Sequence, residues 1–183
     1  MNKLNNCIRS FVKNIGLYEE MSFETAMTKA DLAEILNKKI YPSTFSIFDN
    51  AEYSIPTRYE YSGYADQNGF LVRRRSYYFD SKIPNPNIKG TFYENNGKTV
   101  IKIEFTPTKY FIIGFVLIPI PFIFFIASVF VSSPEMSFIL LIPLIIVISH
   151  YFAMKRNIKR GKYDFERELN FTFVKNNGFR ILN

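Results

Sequence analysis

One cysteine, one histidine and no tryptophan occur in 183 residues. The lone Cys7 excludes an intramolecular disulfide framework and suits a reducing compartment. Cys7 and His150 stand in dissimilar surroundings, so a Cys/His nucleophile pair is not expected, and no H-E-x-x-H, G-x-S-x-G or phosphate-loop motif occurs. The carboxylates Asp49, Glu52, Glu60, Asp66, Asp80 and Glu94 fall near expected strand ends and turns, where solvated side chains are the ordinary case. No catalytic residue, cofactor or metal is assigned. Internal repeats and low-complexity segments are also missing.

Charge is scarce in one long stretch. Between Lys109 and Lys155 only Glu135 is ionic. Residues 110–131 and 136–153, separated by Ser-Ser-Pro-Glu, read as two membrane helices in a tight hairpin. The first segment holds 16 Phe, Ile, Leu or Val residues and the second 11. At the bilayer centre these give about −5 to −10 and about −3 to −7 kcal/mol as upper bounds. Lys98, Lys102 and Lys109 precede the pair, and Lys155, Arg156, Lys159, Arg160 and Lys162 follow it. The positive-inside rule then predicts a two-span bacterial inner-membrane protein with both termini cytoplasmic, and Tyr110 and Tyr151 suit the headgroup layer. MNKLNNCIRSFVKN never becomes a continuous apolar segment, so the hairpin itself is expected to direct insertion.

The formal net charge is +7. Its excess beside the apolar stretch favours a bilayer with anionic headgroups as partner over nucleic acid, which is not expected. A protein partner or homo-oligomer is left open.

Residues 1–20 form an amphipathic segment, with Leu4, Ile8, Phe11, Val12 and Ile15 at helical spacing. It either lies on a membrane surface or packs on the folded domain. Residues 21–109 read as a cytoplasmic α+β domain. A helix over 28–41 starts at the Thr28-x-x-Asp31 cap and stops at Pro42. From 43 to 106 the period becomes two, giving strands at 44–48, 57–64, 70–79, 88–94 and 99–105. Asn68-Gly69 and Asn96-Gly97 mark hairpins. The expected fold is therefore an antiparallel β-meander with the 28–41 helix as cover, then the hairpin over 110–154, then a basic juxtamembrane segment and short C-terminal helix in 155–183. Within 163–174, Phe165, Leu169 and Phe173 fit a helix, while Leu169, Phe171 and Phe173 also alternate as a strand; helix is preferred.

Tyr78-Phe79-Asp80-Ser81, Pro86-x-Ile88-x-Gly90 and Lys98-Thr99-x-Ile101 before the apolar stretch resemble a loosely defined group of small uncharacterised bacterial membrane proteins. The resemblance implies a helix and meander ahead of a hairpin anchor, and no activity.

Candidate contacts for an anionic ligand or lipid are Arg73 and Arg75, on one face of a strand, and Lys155, Arg156, Lys159 and Arg160. Strand arginines more often cover a solvated sheet face. His150 is either a proton-sensing group or a headgroup contact. Pro119, Pro121 and Pro143 are candidate helix kinks, although prolines are common in membrane helices without such a role. The resulting expectation is a membrane-anchored, non-enzymatic binding or regulatory module. The alternative is an oligomeric membrane effector or pore controlled by its soluble domain.

Overall fold

The computed structural model describes residues 2–45, 55–76, 84–95, 97–117, 120–124, 128, 141–173 and 180–182. Helix α1 (Asn2–Asn14) leads into strand β1 (Glu19–Thr25), whose Met21, Phe23 and Thr25 are buried while the residues between them are not. Helix α2 (Lys29–Lys39) begins where the Thr28 hydroxyl accepts from the Asp31 N–H at 3.2 Å and donates to the Asp31 carboxylate at 2.8 Å. It ends as Ile40 turns extended and opens β2 (Ile40–Pro42).

Four strands follow: β3 (Tyr61–Asp66), β4 (Gly69–Arg74), β5 (Asn87–Asn95) and β6 (Lys98–Thr106). Helix α3 (Lys109–Leu117), a short helical piece at 120–124, helix α4 (Leu141–Phe173) and strand β7 (Arg180–Leu182) complete the described chain.

The seven strands form one sheet in the order β2-β3-β4-β5-β6-β1-β7. β3 to β6 are consecutive antiparallel neighbours, β1 adds to the outer side of β6, and β2 lies parallel to β3. Pro42 has no N–H to give a ladder, which suits β2 to the sheet edge.

Alternation along each strand separates two faces. The inner face carries Phe23, Ile101, Ile103, Phe105, Ile88 and Val72, each 2% exposed or less. Leu32 and Leu36 of α2 cover one end of it, and Met154, Ile158, Phe165 and Leu169 of α4 supply the rest of the lid. Phe165 is central: its ring meets Tyr61 at 5.4 Å, Phe70 at 5.9 Å and Phe105 at 6.0 Å between centroids. Arg74 fastens the lid, with Nε 2.6 Å from the Glu60 carboxylate and a terminal nitrogen 2.5 Å from that of Asp164. Gly161 lets α4 approach closely, since a Cβ there would lie 2.6 Å from Pro86 Cγ.

Several expectations are corrected. Among the described residues no helix is long and apolar enough to cross a membrane. α3 has nine residues, and the uncharged part of α4 runs only from Leu141 to Met154 before Lys155, short of the ~20 that a crossing needs. The link at 132–135 lies outside the described residues. The two-span hairpin is thus not supported, and neither is the placement as a two-span inner-membrane protein.

The sheet is mixed rather than a pure meander, with β1 inserted beside β6 and α4 as the principal cover. The short C-terminal helix is the second half of the 33-residue α4, continuous with the apolar segment before it. The 57–64 strand starts later, at Tyr61, and the 70–79 strand ends at Arg74 among the described residues. Residues 43–45 are not strand; 46–48 and 77–79 lie outside the described residues. α1 packs on the domain, with Val12 1% exposed.

Candidate functional site

The sheet's outer face is built in cross-strand rows. Tyr64, Leu71, Lys89, Glu104 and Glu20 stand side by side on β3, β4, β5, β6 and β1. α1 lies over part of this face. The Arg9 guanidinium donates to the Glu104 carboxylate, and the Tyr151 hydroxyl donates to the Ile15 carbonyl at 2.8 Å. Tyr18 donates to Glu20 at 3.0 Å, and Lys102 lies 3.5 Å from the same carboxylate.

The Tyr18 hydrogen bond holds Glu20 below the usual carboxylate range. The hydrogen bond to Tyr18, with the charge of Glu104, raises Arg9. Burial pushes the Tyr18 hydroxyl up to about 12. Arg9, Tyr18 and Glu20 therefore keep their ordinary neutral-pH charges.

Between α1 and strands β3 to β5 this packing leaves a cleft of about 610 Å³, within the usual size of a small-ligand site. Ile8, Val12, Leu71 and Ile112 give it apolar wall, and Lys89, Thr91 and Thr106 give it donors. Although Lys89 pairs in register with Glu104, that carboxylate is engaged by Arg9. The Lys89 ammonium has no ion-pair or hydrogen-bond partner among the described residues. Asp66, at the rim, accepts from the backbone N–H groups of Asn68 at 2.7 Å and Gly69 at 3.0 Å.

A second surface adjoins the cleft at Ile112. α3 and α4 meet where the His150 ring stacks on Phe111 at 4.6 Å, and burial holds its imidazole below the usual range. Beyond this contact Leu117, Phe124, Ile145 and Phe152 are exposed, Phe124 to 73% and Phe152 to 62%. Along α4 the residues Ile145, Ile148, Phe152, Arg156, Lys159 and Tyr163 follow helical spacing on one exposed stripe. The stripe passes from apolar to basic within one turn.

The residues singled out from sequence divide between these surfaces. Arg73 is on the outer face, where its Nε and a terminal nitrogen donate to Asn87 Oδ1 at 3.0 and 2.8 Å and its guanidinium lies 4.8 Å from the Phe45 ring centroid. Arg75 lies past the end of β4, so strand alternation does not fix it beside Arg73; its backbone N–H donates to the Glu60 carbonyl at 2.8 Å. Lys155 sits 5.7 Å from the Tyr151 ring centroid and Arg160 sits 3.7 Å from Asp164. Arg156 and Lys159 have no such partner among the described residues.

Pro121 is exposed in the short helical piece, Pro143 is the third residue of α4 as described, and Pro119 lies outside the described residues. Neither the cleft nor Lys89 was expected from the sequence. The available signal was the alternation of Ile88, Gly90 and Phe92 around Lys89 and Thr91.

Among the described residues no group of three His, Cys, Asp or Glu side chains could hold a metal ion. No protein-family model, curated protein or solved structure matches this chain.

Proposed function

We propose that the chain is a non-enzymatic binding module that works against an anionic lipid surface, with its α+β domain seated there by α3 and α4. The observation that carries this reading is the exposed stripe of α4. Its Ile145, Ile148 and Phe152 offer apolar surface to the boundary between headgroups and acyl chains, and Arg156 and Lys159 stand one and two turns further on, at headgroup level. Large exposed apolar patches mark interaction sites, and the adjoining cations select a negatively charged partner. The contact uses helix faces and headgroups and requires no membrane-crossing helix.

Vesicle flotation tests the proposal. The protein should float with phosphatidylcholine vesicles containing phosphatidylglycerol and much less with pure phosphatidylcholine. At about 1 kcal/mol per basic residue near such a surface, Arg156→Gln with Lys159→Gln should weaken binding ~30-fold. Flotation that ignores lipid charge, or fails with both vesicle types, would overturn it.

A further inference from the structure

We propose that the cleft under α1 holds the head of a phosphate-bearing amphiphile, with the anion on Lys89 and the apolar part against Ile8 and Leu71. This deepens the lipid-surface reading, on which it rests for the source of the ligand.

The charge argument begins with what is already occupied. Of the two carboxylates on the cleft, Asp66 is engaged by two backbone N–H groups of its turn and Glu104 by Arg9. Lys89 is the cation of the lining that no carboxylate engages among the described residues, and Asp66, held by its own turn, stands at the other end of the cleft lining as a carboxylate without a cation. A cation beside hydroxyl donors, here Thr91 and Thr106, favours an oxyanion with several acceptor oxygens. Arg9 adds further N–H groups, because its side chain is 53% exposed while bonded to Glu104.

The shape argument gives the rest of the ligand. Ile8 and Leu71 are only half-buried and are backed by Val12 and Ile112, so one wall offers hydrocarbon contact that inorganic phosphate could not use. Ile112 belongs to α3, whose next residue, Ile113, is 45% exposed on the apolar surface. The cleft and that surface are therefore neighbours, and an amphiphile resting on one can place its head in the other. A cleft of about 610 Å³ accommodates a phosphate head with the first part of a chain.

The test titrates the full chain, by calorimetry, with dihexanoyl phosphatidic acid, dihexanoyl phosphatidylcholine and glycerol 3-phosphate. The phosphatidic acid should bind at least tenfold more tightly than either of the others. Lys89→Gln should lose at least tenfold of that affinity and Lys89→Arg should restore most of it, while Arg156→Gln with Lys159→Gln should leave it unchanged. Equal binding of the phosphatidylcholine would remove the anion from the account. Equal binding of glycerol 3-phosphate would make the ligand a free phosphate, and an unaffected Lys89→Gln would overturn the site. Lys89→Gln should still need phosphatidylglycerol to float while losing the soluble phosphatidic acid, and Arg156→Gln with Lys159→Gln should show the reverse, so a failed cleft and a failed lipid-docking surface give different results.

Discussion

Arg9 and Glu104, 95 positions apart in the chain, form the ion pair that holds α1 over the outer face of the sheet. Glu104 is the less exposed partner, its side chain 14% accessible against 53% for Arg9. The pair also decides the chemistry beneath the helix, because it takes from Lys89 the carboxylate that stands opposite it in register.

Removing that pair should loosen α1 more than it destabilises the fold. Arg9→Ala is expected to cost no more than about 1 kcal/mol, since an exposed partner is well screened. Amide exchange in α1 should nevertheless speed up several-fold while that of β6 stays constant. Hydrogen exchange read by mass spectrometry distinguishes this from uniform loosening.

Arg74 should behave differently. It bridges Glu60 and Asp164 with a side chain only 22% exposed, and removing it takes their shared cation from two neighbouring carboxylates, with Arg160 left 3.7 Å from Asp164. Arg74→Ala is expected to cost about 2–3 kcal/mol, less than the loss of a fully buried pair. Urea unfolding measures it, and a cost below that of Arg9→Ala would contradict the lid assignment.

Gly90 lies on the inner face under Phe70, where an added Cβ would stand 2.1 Å from the ring. Phe70 is itself packed on Phe92 and Phe165, so it has little freedom to yield. Gly90→Ala should therefore destabilise by about 1–3 kcal/mol. Combining it with Phe70→Leu should recover part of that loss in thermal unfolding.

Glu168 gives the pH dependence a defined sign. Burial pushes its carboxyl above the usual range, against the hydrogen bond from Tyr61 and the charges of Lys39 and Arg74, while Glu60 adds to the rise. The neutral acid is favoured in the folded state. Its contribution is complete below the ordinary carboxylate pKa and is lost as pH rises through the raised folded value. Glu168→Gln stays neutral throughout and can still accept from Tyr61. It should melt at a higher temperature than the unaltered protein at pH 7, with the difference vanishing in acid; parallel melting profiles would contradict this.

Local signals in the sequence located the local elements. Thr28 and Asp31 cap α2 as their spacing suggests, and the alternation from Thr99 to Phe105 is a strand. The Asn-Gly pairs mark real hairpins: Asp66 pairs with Gly69, and Gly97, at φ +73°, follows β5. Phe165 and Leu169 lie on a helix, as their spacing favoured.

What escaped depended on partners far away in the chain. Glu19 to Thr25 alternates as plainly as β6, but its partner lies beyond five other elements. α4 looks like two segments because Lys155 changes its pattern from apolar all round to a single buried stripe, although nothing there breaks the helix. Lys89 resembles any solvent-facing strand residue. Its setting becomes visible only when the register aligns it with Glu104 and α1 removes that neighbour.

Contact between the α4 stripe and lipid is measured most directly with a polarity-sensitive fluorophore on single cysteines, in a Cys7→Ser background, at Ile145, at Phe152 and at Tyr93 on the sheet. With vesicles containing phosphatidylglycerol, labels at Ile145 and Phe152 should shift to the blue and be quenched by lipid-borne quenchers, whereas the label at Tyr93 should not change. Unchanged emission at the first two positions, or equal shifts at all three, would contradict the account.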